Sequence, residues 1–240
     1  MEIFPAIDLI SGQAVRLTKG DYGNKKVYDS DPVSVAKRFL QSGANNLHVV
    51  DLDGAKSGEI VNMPCIEKLC RIDGLFIEVG GGIRTMDRIE AYLDLGVDRV
   101  ILGTAAVKNP ELLDEAISKY GDKIAVGVDA HDGKVALSGW IERTELDSVS
   151  FCKELRDKGV KTVIYTDIAK DGAMEGTNRE IYKVLNGIEG LSIVASGGIC
   201  FEEDVVALRD MGIYAAIIGK AIYEGAIDLQ RAVKLARTEK

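Results

Sequence analysis

The chain carries one long phrase twice. Residues 80–103 read GGGIRTMDRIEAYLDLGVDRVILG and residues 196–219 read SGGICFEEDVVALRDMGIYAAIIG. Each copy runs through a Gly-rich turn, one helical stretch, a Gly at the helix end, a short apolar run and a closing Gly. The copies lie 116 residues apart in a chain of 240. A unit of half a chain is far longer than the roughly 20–50-residue period of solenoids. It points to two equivalent halves with two similar anion-binding turns on one face.

The remainder follows the same period. IFPAIDLISGQAV (3–15) lies over IAVGVDAHDGKVA (124–136), which sets Asp8 over Asp129 and Gly12 over Gly133. Residues 31–52 lie over 147–168, with Asp51 over Asp167. Short β-branched runs at 2–8, 46–51, 75–79, 98–102, 123–129, 161–166, 191–195 and 214–218 read as strands. Helical patterns occupy about 31–42, 62–72, 85–95, 109–119, 147–158, 178–187, 201–211 and 224–238 between them. Strict alternation means a parallel sheet, because each parallel crossover needs its helix. A doubly wound open sheet should not repeat its halves this completely. The expectation is an α/β chain folded as a (β/α)8 TIM barrel with a two-fold half-barrel internal repeat. Residues 1–240 form one domain, with half-barrels at approximately 1–120 and 121–240. Asp31-Pro32 and Asn109-Pro110 are helix starts, Thr85 caps the helix after the first Gly run, and Gly43, Gly96, Gly159 and Gly212 sit at helix ends.

Composition narrows the partners. A net charge of −8 argues against a general nucleic-acid surface, so any phosphate site must be local. No apolar run reaches the roughly 18 residues of a membrane span. Met1-Glu2 is followed by a strand and not by a signal sequence. The four cysteines, Cys65, Cys70, Cys152 and Cys200, show neither zinc spacing nor CxxC pairing. They read as reduced thiols of a cytoplasmic protein. The oligomeric expectation is a monomer.

A phosphate needs several N–H donors converging without side chains in the way, and a helix N-terminus adds favourable dipole. In barrels the loops after strands 7 and 8 often supply this. Here those are Gly197 and Gly198, preceded by Ser196, and Gly219 with Lys220. By symmetry the loops after strands 3 and 4 supply Gly81 and Gly82 with Arg84, and Gly103 with Thr104. Glycine at a strand end can equally serve only a tight turn. Two matched pairs favour two phosphates about a barrel mouth apart, hence an elongated bisphosphate as the small-molecule partner.

Asp8 and Asp129 end the first and fifth strands, which face each other across an eight-stranded barrel. Two aspartates at the C-terminal rim can divide acid and base roles if their environments split their pKa values. Asp51 and Asp167 are better suited to capping loops. Asp171, in the Gly-rich loop DIAKDGAMEGTN, is a rival for the acid role, with Thr166 just upstream. His48 lies within the second strand, as a packed histidine or a ligand contact. Trp140, the lone tryptophan, sits in the long loop after strand 5 and can stack on a planar ring. That loop has no twin in the other half. Arg16 and Lys19 lie in the first loop, 9–30, a candidate lid, and Arg143 is a possible anion partner.

AIDLISGQAVRL, LHVVDLDGA, VGGGIR, LGTAAV, VGVDAHDGKVALSGW, TDIAKDG and ASGGI together resemble the phosphoribosylformimino-5-aminoimidazole carboxamide ribotide isomerase family of histidine biosynthesis. The resemblance covers essentially the whole chain. It implies an Amadori rearrangement of an aminoaldose to an aminoketose, on a substrate with a phosphate at each end. It implies no metal or organic cofactor and no obligatory protein partner. It makes Asp8 the general base and Asp129 the usual general acid, and it places Thr166 and Asp171 near the reacting ribose. The sister cyclase barrel of imidazole glycerol phosphate synthase shares both aspartates and both phosphate turns. It characteristically has Cys before the Leu-Asp of strand 1 and a lysine soon after, where this chain has Ala6-Ile7-Asp8 and Arg16. A bifunctional isomerase that also accepts phosphoribosylanthranilate and a non-catalytic bisphosphate-binding barrel are the other readings.

Overall fold

The computed structural model describes residues 1–18, 21–58 and 60–238, without the side chains of Thr18, Asp21, Tyr22 and Asn24. The first half runs β1 (Glu2–Ile10), β2 (Gln13–Thr18), β3 (Asp21–Asp29), α1 (Pro32–Gln41), β4 (Asn46–Asp51), α2 (Leu52–Ser57), α3 (Met63–Cys70), β5 (Phe76–Gly80), α4 (Met86–Asp94), β6 (Arg99–Leu102), α5 (Thr104–Lys108) and α6 (Pro110–Tyr120). The second runs β7 (Ile124–His131), β8 (Lys134–Leu137), β9 (Glu142–Asp147), α7 (Ser148–Asp157), β10 (Thr162–Asp167), α8 (Arg179–Asn186), β11 (Ser192–Ser196), α9 (Glu202–Asp210), β12 (Ala215–Ile218), α10 (Lys220–Tyr223) and α11 (Leu229–Arg237). β1, β4, β5, β6, β7, β10, β11 and β12 pair in parallel in that order, and β12 pairs back with β1. The result is a closed eight-stranded parallel barrel with β1 and β7 diametrically opposed.

The strand pleat sorts the core into two volumes. Outward residues such as Ile7, Leu47, Val79, Val100 and Val126 pack against the helices. Inward residues Phe4, Ala6, Ile101, Ala125, Ile164, Val194, Ala215 and Ile217 fill the barrel itself. The helix starts hold as the sequence places them. Asp31 accepts from the Val33 amide at 3.1 Å, Thr85 from Arg88 at 3.3 Å and Asn109 from Leu112 at 3.1 Å. Gly43, Gly96, Gly159 and Gly212 all adopt positive φ at helix ends.

Three sequence expectations need correction. The long loops at 9–30 and 133–147 contain antiparallel hairpins, β2–β3 and β8–β9. Each grows from a barrel strand through a two-residue turn, Ser11-Gly12 (φ 52° and 73°) and Asp132-Gly133 (φ 50° and 76°). Positive φ at both central residues is the turn geometry that matches strand twist, and Asp-Gly is a strong sequence signal for it. The Trp140 loop therefore has a structural counterpart even though its sequence has none. Finally, the last long helix begins at Leu229, not 224. α10 already follows β12 directly, Gly225 turns the chain at φ 70°, and Asp228 caps α11 through the Arg231 amide at 2.7 Å.

The doubled Gly runs are explained by chain crossing. A Cβ at Gly81 would sit 2.2 Å from the Asp51 carbonyl oxygen, and one at Gly82 would sit 1.8 Å from that of Gly54. In the other half the corresponding distances are 2.5 Å from Gly197 to Asp167 and 2.6 Å from Gly198 to Gly176. Each turn lies directly on the backbone of the preceding β-strand's loop. Gly133, by contrast, would meet nothing within 4 Å. We expect Gly133→Ala to cost only left-handed strain, about 1–2 kcal/mol. Gly82→Ala adds backbone overpacking of about 1–3 kcal/mol or more to the same strain. Denaturant unfolding of the two variants measures the difference, and equal losses would contradict the crossing argument.

Candidate active site

The inward face of the barrel rim carries Asp8 on β1, Asp129 on β7 and Thr166 on β10, with Thr166 level with Asp129. Because β1 and β7 are opposed, the two aspartates face one another over the mouth. The loop joining β10 to α8 brings Asp171 to the same place. Arg16 of the first hairpin joins them: its guanidinium donates to Asp8 Oδ2 at 3.3 Å and forms a short bond to Asp171 Oδ1. Arg16, in sequence a residue of the candidate lid loop 9–30, is here the link between two candidate acid–base groups. The first hairpin is tied down at both ends. The Gly12 amide donates to Asn62 Oδ1 at 2.8 Å, and the Tyr28 ring stacks on Tyr223 at 4.3 Å.

Trp140 enters from the other hairpin. Its φ is 72°, and its indole Nε1 donates to Asp129 Oδ2 at 2.9 Å. Thr104 Oγ1 accepts from the Ser138 amide at 2.8 Å, so this loop is anchored to the start of α5. Burial raises the Asp129 carboxyl above the ordinary aspartate range, while the Trp140 indole and the Thr166 hydroxyl favour its charged form. Burial likewise raises Asp171, opposed by the Arg16 charge. Two carboxyl groups at one mouth thus hold protons more readily than free aspartate, which suits groups that must give protons near neutral pH.

The other candidate residues divide into groups. Gly103 and Gly219 stand immediately before α5 and α10; the first two amides of each helix have no intrahelical acceptor, while the third donates to the Gly103 or Gly219 carbonyl. A Cβ on Gly103 would meet nothing within 4 Å, and one on Gly219 would meet only the Arg16 guanidinium at 3.6 Å and Ala6 at 3.7 Å. Lys220 Nζ donates to the Gly172 carbonyl at 2.9 Å, which holds the Asp171 loop across the mouth. Arg84 is exposed and donates to the Ala55 carbonyl at 3.0 Å. Arg143 is exposed on β9. Lys19 lies outside the described residues. Asp51 and Asp167 cap their loops: Asp51 accepts from the Gly54 amide at 2.9 Å and Asn62 at 2.7 Å, and Asp167 accepts from Asn178 at 2.7 Å.

His48 is not isolated. Its Nδ1 lies 2.6 Å from Glu78 Oε1 inside the barrel. Glu78 Oε2 in turn accepts from Arg99 Nε at 2.9 Å. Neither Glu78 nor Arg99 was singled out from sequence. The signal was a glutamate at an inward position in the apolar run FIEVG, level with His48 and Arg99 on the neighbouring strands.

Residues 2–228 match the family model described as "Histidine biosynthesis protein". The chain is 52% identical over 237 residues to a protein of Brachyspira hyodysenteriae, covering 99% of this chain and 100% of the relative. It is 47% identical to one of Picosynechococcus sp., covering 98% and 93%, and 46% identical to one of Bacillus cereus, covering 99% of each. All three relatives bear the name 1-(5-phosphoribosyl)-5-((5-phosphoribosylamino)methylideneamino)imidazole-4-carboxamide isomerase.

Trp140→Phe removes the indole donor and keeps most of the ring. Since that donor favours ionised Asp129, its loss should raise the Asp129 pKa further. Carboxyl carbon NMR titration of the ligand-free protein reads the shift. An unchanged or lower pKa would mean that the indole does not bond this carboxylate in solution.

Proposed function

The chain belongs to the histidine biosynthesis protein family, and on that premise we propose that it is an aldose–ketose isomerase acting on phosphoribosylformimino-5-aminoimidazole carboxamide ribotide. The observation that carries the reading is the opposition of Asp8 and Asp129 across a mouth flanked by two equivalent Gly-built turns. The amides opening α5 and α10, with the Gly81-Gly82 and Gly197-Gly198 turns beside them, suit the two phosphate ends of one bisphosphate. A substrate spanning them lays its ribosyl carbon chain between the carboxylates.

In this reading a carboxylic acid first protonates the ribose ring oxygen, and the ring opens to a protonated Schiff base. Asp8 as base then removes the C2 proton. The resulting enolamine tautomerises to the aminoketose. No net redox change occurs, since one carbon is oxidised as its neighbour is reduced. Asp129 and Asp171 both have raised pKa values and both suit the acid role. Thr166 sits beside Asp129 and near the reacting sugar. In this reading the Trp140 indole, which donates to Asp129, exchanges that bond as the carboxyl engages substrate and stacks on the substrate's imidazole. Ring opening at oxygen and proton removal at carbon, as proposed here, call for neither a metal nor a second protein.

The compartment proposed is the cytoplasm, where such a biosynthetic step and four unpaired cysteines belong. Among the described residues no helix is long and apolar enough to cross a membrane.

The purified chain should convert the aminoaldose without added metal, ammonia or partner protein. Asp8→Asn and Asp129→Asn should each lower kcat by about 100- to 10,000-fold while substrate still binds. Full activity in Asp129→Asn together with loss in Asp171→Asn would assign the acid to Asp171. An inactive wild type, under conditions where a known isomerase turns over, would overturn the reading.

A further inference from the structure

Beneath the two aspartates the barrel holds a row of charge that the reaction above does not use. His48 on β4, Glu78 on β5 and Arg99 on β6 are level on three consecutive strands, and all three point inward. Ala6, two residues before Asp8 on the same face of β1, is level with His48. The row therefore starts one layer below Asp8. Glu78 is fully buried, and both of its oxygens are occupied: Oε1 by His48 Nδ1 at 2.6 Å, Oε2 by Arg99 through Nε at 2.9 Å and a second short bond. Arg99 lies over the Phe4 and Phe76 rings, 5.5 Å and 5.2 Å from their centroids, and reaches Thr162 on β10 at 3.5 Å.

Burying three such groups is costly, and an apolar filling of similar volume is often as stable or more so. Stability alone does not account for the row. Its geometry has a definite consequence at its upper end. A carboxylate at 2.6 Å from Nδ1 requires the proton on Nδ1. The other ring nitrogen, Nε2, has no protein partner among the described residues, and it is not a sealed orphan, for the only such buried atom is on Arg88. It is the ring atom left open to solvent.

We infer that Glu78 and Arg99 are positioning residues for the reaction, acting through His48. Arg99 holds Glu78, Glu78 holds the imidazole by its Nδ1–H, and Nε2 is thereby fixed toward the sugar between Asp8 and Asp129. A neutral His48 held this way offers Nε2 as an acceptor to a ribose hydroxyl. The groups facing it are Glu78 beside it, and Asp8 and Asp129 above. The two phosphate turns lie on the rim and are not part of the row. Loss of the row should therefore affect turnover more than binding.

The kinetic part rests on the isomerase reading, and the tautomer does not. The chain has only two histidines, so the ring nitrogens of His48 can be assigned by comparing wild type with His131→Gln. Long-range proton–nitrogen NMR of the wild type should show His48 protonated at Nδ1, and a neutral Nε2–H tautomer would overturn the inference. Glu78→Gln should lower kcat at least tenfold with KM changed less than threefold, and Glu78→Asp should recover part of the loss. His48→Ala combined with Glu78→Gln should be no slower than His48→Ala alone, because the two act as one unit. Losses that multiply, or wild-type kcat in Glu78→Gln, would refute it. If Glu78→Gln does not fold, the wild-type tautomer and Glu78→Asp still decide. An inactive wild type with the Nδ1–H tautomer would sink the isomerase reading and leave the positioning geometry standing.

Discussion

The mouth of this barrel is shaped by two places where the backbone crosses itself with no room for a side chain. After β5 the chain lies against the loop leaving β4, and after β11 it lies against the loop leaving β10. At Gly82 an added methyl group would fall 1.8 Å from a carbonyl oxygen. The carbonyls pressed there belong to the loops capped by Asp51 and Asp167, each bonded to an asparagine eleven residues on. That asparagine caps or starts the next helix. The crossing thus fixes neighbouring βα loops as one block in each half. The candidate phosphate turns are edges of these blocks, and they come in a symmetric pair because the blocks do.

On this symmetric base the two hairpins introduce direction. Both leave opposed strands through equivalent two-residue turns, yet they deliver different groups. The first brings Arg16, a permanent cation that joins Asp8 to Asp171. The second brings Trp140, whose indole covers Asp129. One side of the mouth is held together by an ion pair and the other by hydrogen bonds from uncharged donors, which are weaker than a full ion pair. In the proposed reading, an asymmetric molecule with similar phosphate ends would be distinguished at this level and not by the two turns.

Much of this was legible in the sequence. The doubled phrase, the strand alternation and the opposition of Asp8 and Asp129 all follow from period and order, which a chain displays openly. Capping by Asp31, Thr85 and Asn109 follows from local chemistry. What was hidden has a common cause: it depends on which residues become level across strands. Glu78 looked like one charge in an apolar run, and only register sets it between His48 and Arg99. Arg16 and Asp171 are 155 residues apart. The Gly-run glycines were read for their open amides, and the crossings show that crowding demands them as well. The Asp132-Gly133 hairpin was readable but was masked by the polarity of its loop. The sites and the roles proposed for them extend beyond what pattern alone conveys, because a phosphate turn and a tight turn share one sequence.

In the proposed reading two equivalent turns hold the ends of one molecule while Asp8 and Asp129 flank its middle. A crystal structure of the Asp8→Asn variant with the aminoaldose bound tests this most directly. One phosphate should lie on the amides at Gly82 and Gly103-Thr104, the other on those at Gly198 and Gly219-Lys220, with the ribose carbon chain between positions 8 and 129 and the Trp140 indole withdrawn from Asp129. A substrate with only one end on these turns, or with its ribose outside the reach of both residues, would contradict it.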